Sequence, residues 1–307
     1  MQGSWYLVFP LIAAVVYAVG AYFMKAAQLR GINSAQVTFW TTLVTAGAFM
    51  AVHYPWADRP WLEPASWWHV SALAVTFYIG LAATVIALDK GAVSLATPML
   101  GTKVVMVAVI DALLAGGAVS SGAWVAAVMS MAGVILLAGS SDRRAGGEGG
   151  GGLTRRAVWI GLGISFVAAL AFSAYDVGIK QWSPASGFGR LVPPAIVLAL
   201  VLCVTLPPVT GERVFVWPKA GRVWLALTAA FFAGQALVLM WSLGTFGDPT
   251  GINVVYGSRG VWSVVLVAIV GLFSTSVETF HSRGVFLRRL GGSLAISGAI
   301  GVLVIWG

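Results

Sequence analysis

Charge is scarce in this sequence. Lys and Arg number 18 and Asp and Glu 10 among 307 residues, so only 9% of the chain is charged. A water-soluble domain carries roughly a quarter. With a mean hydropathy of +0.91, the surface of such a chain cannot be solvated by water, and a bilayer is its medium. The single cysteine, Cys203, lies in an apolar run, which excludes a disulfide framework and a thiolate metal site. Three histidines, His53, His69 and His281, stand at the edges of apolar runs, so no metal centre is expected. The acids are too isolated to hold magnesium, and no phosphate-binding loop is present, so neither a cofactor nor direct drive by ATP is expected.

The cations outnumber the acids by 8 and the pI is near 10.0. They are scattered singly through loops, which reads as topology signal and contact with anionic lipid, and not as nucleic-acid binding. What the chain has in abundance is apolar segments of membrane length. A hydrocarbon core of ~30 Å takes roughly 20 residues of helix. That ruler predicts an all-α integral membrane fold with ten transmembrane helices, at 4–24, 35–54, 67–88, 91–115, 121–139, 157–178, 190–207, 222–243, 250–273 and 289–306.

The segments repeat. Gly101-Thr102-Lys103 matches Gly257-Ser258-Arg259 at a spacing of 156, and Tyr17–Lys25 matches Phe172–Lys180 at 155. Five spans per unit is an odd number, so the second copy enters the bilayer upside down, and inverted repeats place their sites near the midplane. The expected organisation is a first five-helix repeat over 1–139, a glycine-rich cytoplasmic linker over 140–156, and a second repeat over 157–307. Thirteen Lys and Arg fall in the loops after the odd-numbered segments, against Arg59, Lys180 and Arg190 on the other side. The positive-inside rule then puts those loops in the cytoplasm and both termini outside. Tyr54, Trp56, Trp61, Trp67 and Trp68 read as an interfacial aromatic belt in contact with membrane lipid.

Two cations stand where lipid penalises them. Lys103 lies about 11 residues, or ~16 Å, into the fourth segment, and Arg259 about eight residues into the ninth, each at a centre-of-span cost of at least ~2.5–3.5 kcal/mol. Asp111 sits ~12 Å further along the helix than Lys103, and Asp176 reads as near the outer end of the sixth segment. No acid is expected at the depth of the two cations, so an anionic group of a cargo is their expected counter-charge; a structural ion pair is the competing reading. Asn253, Tyr256 and Arg259, with Trp262 beyond, form one stripe, and Met99, Lys103 and Met106 another. Tyr175 is a further candidate for the same cavity, and Asp111 and Asp176 are candidates for proton coupling. Lys25 and Lys180 are expected to snorkel. The small residues Gly291, Ala295 and Ala299 of the tenth segment suit either a homodimer seam or packing within the chain.

The duplicated unit, the run GAVSLATPMLGTK (Gly91–Lys103), the fifth-segment ending MAGVILLAG (Met131–Gly139) and its echo IGVLVIWG (Ile300–Gly307) together resemble the drug/metabolite transporter superfamily in its EamA-like, ten-helix branch. The resemblance implies helices 4 and 9 around a central cavity used by alternating access, with Lys103 and Arg259 placed as in phosphate- and nucleotide-carrying relatives. Where many EamA-like members carry a Glu near the end of helix 4, this chain reads Leu114–Ser121, LAGGAVSS. The expected function is a secondary transporter, an exporter of a small metabolite or amphipathic organic solute bearing an anionic group, in the cytoplasmic (inner) membrane. An intramembrane enzyme and a lipid flippase are the alternatives. The orientation is testable by cysteine accessibility. Gly149→Cys should resist an impermeant thiol reagent on intact cells and Gly307→Cys should react; labelling of Gly149→Cys would reverse the topology.

Overall fold

The computed structural model describes residues 4–56, 66–90, 102–114, 119–138, 155–273 and 283–306. All regular structure among them is helical. A 3-10 turn at Ser4–Leu7 leads into α1 (Val8–Gln28), followed by α2 (Ser34–Val52), α3 (Trp67–Lys90), α4 (Lys103–Leu114) and α5 (Ser121–Ala138). Further along the chain come α6 (Arg155–Ser186), α7 (Phe188–Leu202), α8 (Arg222–Phe246), α9 (Pro249–Tyr256), α10 (Arg259–Phe273) and α11 (Arg283–Trp306). Among the described residues, six spans are long and apolar enough to cross a membrane: Ser4–Gln28, Ser34–Val52, Trp67–Ala87, Trp159–Ser186, Phe188–Pro208 and Arg222–Phe246. Shorter apolar helices run over Ser121–Leu136 and Gly291–Trp306.

Local chemistry sets the boundaries that matter for the site. Gly31 takes a φ of +84° in the turn between α1 and α2, a conformation that costs glycine little. Asn33 then caps α2 in a reciprocal box, its side chain accepting from the Gln36 N–H at 2.6 Å while Gln36 Oε1 accepts from the Asn33 N–H. The same two side chains donate outward, Asn33 to the Arg213 carbonyl and Gln36 to that of Val216, fixing the α1–α2 turn to the segment before α8. At the other end of α8, Gly247 (φ +66°) stops the helix and Asp248 starts α9, accepting from the Gly251 N–H, with Pro249 in the first helical position. The Tyr6 hydroxyl donates to Asp248 at 2.5 Å, tying the start of α1 to this turn.

Three of the expected segments differ from their helices. The sixth does not stop at 178; α6 runs on through Lys180 and Pro184 to Ser186, 32 residues in all. The ninth is two helices, α9 and α10, joined at Gly257-Ser258. Of the fourth, the described part is the 12-residue α4, and Met99 lies outside the described residues.

The packing is paired. α1 lies along α8 as α6 lies along α3, and α2 meets α8 as α7 meets α3. α1 touches α10 as α6 touches α4, while α2 packs on α7 and α5 on α11. The main core gathers Phe49, Leu73, Tyr175, Ile179, Leu191, Ile196, Leu239, Leu243 and Ile252, from α2, α3, α6, α7, α8 and α9. On the α5–α11 face, small residues allow backbone contact. A Cβ on Gly133 would lie 2.6 Å from Ile296 Cγ1 and 2.8 Å from the Gly292 carbonyl oxygen. Gly133→Ala should therefore lower the melting temperature by the equivalent of about 1–3 kcal/mol, the usual cost of overpacking. Gly163→Ala, on α6 with nothing within 4 Å of the added methyl, is the control and should leave it unchanged or slightly higher.

Candidate functional site

The bundle encloses a cavity of about 290 Å³. Among the described residues its walls come from α1, α2, α3, α6 and α8, with Lys103 at the start of α4 and Tyr256 and Arg259 at the break between α9 and α10. It reaches to Gln28 and Ser34, at the turn joining α1 and α2.

The break places Arg259. The Gly257 N–H is shared between the carbonyls of Asn253 (2.9 Å) and Val254 (3.2 Å), and Ser258 bonds back three residues to Val255, which tightens the end of α9. Glycine at 257 lets the break approach α5 closely, since a Cβ would fall 2.7 Å from Ser130 Oγ and 3.0 Å from the Val254 carbonyl oxygen. The chain restarts as α10 with Arg259, whose guanidinium carbon lies 4.6 Å from the centre of the Tyr256 ring and 5.1 Å from that of Tyr17. Ring faces hold a desolvated cation with up to ~2 kcal/mol, and they leave its net charge in place. No carboxylate lies within 4.0 Å of Arg259 among the described residues.

Lys103 is placed differently. Its Nζ lies 2.7 Å from Asp176 Oδ2, with the two side chains 14% and 5% exposed. Asn253 Nδ2 donates to the same oxygen at 2.8 Å and to the Pro249 carbonyl at 2.9 Å. The ammonium also sits 5.7 Å from the Phe172 ring centre, and the Ser173 hydroxyl donates to the Lys103 carbonyl. Three residues of α6, Phe172, Ser173 and Asp176, thus form a seat for the start of α4.

Asp176 is the principal correction to the sequence reading. Because α6 continues to Ser186, residue 176 lies 17 positions inside the span that starts at Trp159, at the level of Lys103 and not at an outer edge. The expectation that no acid stands at that depth is overturned by Asp176; what remains is that, among the described residues, no carboxylate lies within 4.0 Å of Arg259. Lys180 does not snorkel; its Nζ lies 2.6 Å from Asp111 Oδ1. α4 and α6 are therefore joined by two ion pairs of opposite sense, each with a buried carboxylate.

Of the other expected residues, Tyr175 is 1% exposed and donates to Met240 Sδ at 3.2 Å, and the Tyr256 hydroxyl donates to Gln235 Oε1 at 2.8 Å. Trp262 packs against the main core and does not line the cavity. His53 meets Phe188 edge-to-face and His69 lies between Trp68 and Trp182, so the two are held in separate aromatic clusters. The outer stripe of the last helix is spent partly within the chain, Ala299 being fully buried in a cluster with α5.

Sequence reasoning missed one whole wall. Thr38, Thr41, Thr42 and Thr45 line the cavity from α2, and each hydroxyl donates to a carbonyl of its own helix at 2.7–2.9 Å. With the protons so committed, the wall shows methyl groups and acceptor lone pairs. The signal was available, as threonines at i, i+3, i+4 and i+7 mark one helical face. Tyr17 and Phe172 were also legible: they occupy the same position in the matching stretches 155 apart, and each underlies the cation of the other half.

Three comparisons bear on this geometry. The model of the EamA-like transporter family matches residues 4–139. Among curated proteins none matches by sequence. A solved structure described only as "Crystal structure of protein" superposes with a TM-score of 0.76 over 99% of this chain and 98% of that one, at 18% identity, a likeness of fold.

The Lys103–Asp176 pair makes Lys103 a structural as well as an electrostatic element. Lys103→Met should destabilise by about 3–5 kcal/mol, because it strands a buried carboxylate. Adding Asp176→Asn to it should restore most of the loss in thermal melts. A double variant no more stable than Lys103→Met alone would contradict the pairing.

Proposed function

We propose that this chain, whose residues 4–139 match the EamA-like transporter family of the drug/metabolite transporter superfamily, is a secondary transporter that carries a small amphipathic organic anion across the cytoplasmic membrane by alternating access. The observation that carries the reading is Arg259, a buried-site cation facing a cavity without a carboxylate partner among the described residues. An unpaired charge at that depth is costly, and a cargo anion relieves the cost. Apolar and aromatic walls from Phe77, Phe172, Phe232 and Leu239 suit the rest of such a cargo.

The architecture proposed with it is two inverted five-helix repeats. Its support is the matched packing: each contact of one half across the bundle, α1 on α8 or α2 on α8, has its counterpart in α6 on α3 or α7 on α3. The starts of α4 and α10 also stand 156 positions apart, as the sequence motifs do. The broken ninth segment is the kind of discontinuous span that forms midplane sites in repeat-built transporters.

The direction proposed is export. The cavity reaches the end of the bundle that carries the α1–α2 turn and the 211–221 segment, where Arg30, Arg213 and Lys219 lie. The positive-inside rule makes that end cytoplasmic, so the conformation is one that loads from the cytoplasm.

A thermal-shift screen of purified protein against organic anions, amino acids, phosphorylated metabolites and aromatic amines tests the reading. A ligand of the folded state at 100 times its Kd adds about 2.7 kcal/mol. Organic anions should raise the melting temperature of wild type, and Arg259→Met should lose that shift and transport while keeping its own melting temperature. Stabilisation by amines alone, or an undiminished anion shift in Arg259→Met, would overturn it.

A further inference from the structure

The two halves of the site differ by one carboxylate. Each cation rests on a ring contributed by the first helix of the opposite half, Arg259 on Tyr17 and Lys103 on Phe172. These rings stand 155 positions apart and occupy equivalent places in the two copies. One turn further along, the copies part: Asp176 on α6 has Ala21 as its equivalent on α1. The formal charge of the central set is therefore two cations and one anion, Lys103, Arg259 and Asp176, a net of +1. We propose that Asp176 is the charge-selectivity determinant of the cavity: it acts as a built-in counter-anion at one of two equivalent cation seats, and so limits the cargo to a single negative charge.

The geometry supports both parts of this. Asp176 is fixed as an anion's stand-in, its Oδ2 taking Lys103 Nζ at 2.7 Å and Asn253 Nδ2 at 2.8 Å, and it lines the cavity. A monoanion on Arg259 brings the set to neutrality. A dianion leaves one charge with no counter-charge in a site lined largely by apolar and ring surfaces, where charge interactions are weakly screened. Position 21 is empty of charge yet well placed. Tyr17, Met24 and Gln28 line the cavity from α1, and residue 21 falls on the same face at i+4 from Tyr17.

The inference rests on the anion-binding role of Arg259, and the test separates the two. The probes are 3-phenylpropionate and phenylsuccinate, the same skeleton with one and with two carboxylates. Binding to the full-length purified protein is measured by calorimetry where every carboxyl is ionised. Wild type should prefer the monoanion by about tenfold or more. Asp176→Asn keeps a hydrogen-bond acceptor for Asn253 and raises the net charge to +2; it should shift the ratio by about tenfold or more toward the dianion. Ala21→Asp supplies the missing carboxylate beside Arg259, and should weaken the monoanion by about tenfold or more, an arm that stands even if Asp176→Asn does not fold. Absence of binding by either probe to wild type would refute the anion site itself. Monoanion binding by wild type, with an unchanged ratio in Asp176→Asn or unweakened binding in Ala21→Asp, would refute the selectivity role alone.

Discussion

A cation in the middle of a bilayer has to be given a counter-charge or a polarisable surface, and this fold spends much of its design on two of them. Lys103 and Arg259 each open a helix, and each lies against a ring from the opposite half of the chain. That requirement explains the break at Gly257-Ser258, where glycine lets the chain approach Ser130 closely, and the seat formed by α6. It also explains why α4 is held to α6 by two ion pairs, since a charged helix end without them would carry the full cost of burial.

From the same constraint comes the division of labour in the cavity. Lys103 lies 2.7 Å from Asp176, while Arg259 rests against two rings with no carboxylate within 4.0 Å among the described residues, so the two cations that look alike in sequence are held differently. In the proposed reading one stabilises the bundle and the other keeps a net charge available. Around them, the threonine wall of α2 contributes acceptors whose protons are already used within the helix. The cavity is therefore cationic at the break and weakly acceptor along one wall, with aromatic surface between.

Much of this was legible in the sequence. The spacing of 155 to 156 between matching stretches located both cations and put Tyr17 in register with Phe172, and Tyr256, Asn253 and Tyr175 were singled out from position alone. What failed was depth. A ruler of roughly 20 residues applied to one helix at a time ended the sixth segment at 178, with Lys180 expected to snorkel just beyond it. The helix continues because Asp111, on another element, accepts Lys180. With the end of α6 misplaced, Asp176 was assigned to the edge, and the ion pair with Lys103 could not be seen. Partners across a bundle are a tertiary fact, and no single-segment pattern encodes them. The threonine wall was a different kind of miss: its helical period was present in the sequence and simply outweighed by the charged residues.

The central claim is that Arg259 is the group that receives an anion. Its most direct measurement is the rate of phenylglyoxal modification at Arg259, followed by peptide mass spectrometry on the purified protein with and without 3-phenylpropionate. The carboxylate should slow modification at Arg259, while the uncharged amide of the same skeleton should not. Equal rates with carboxylate, amide and no addition would contradict the account.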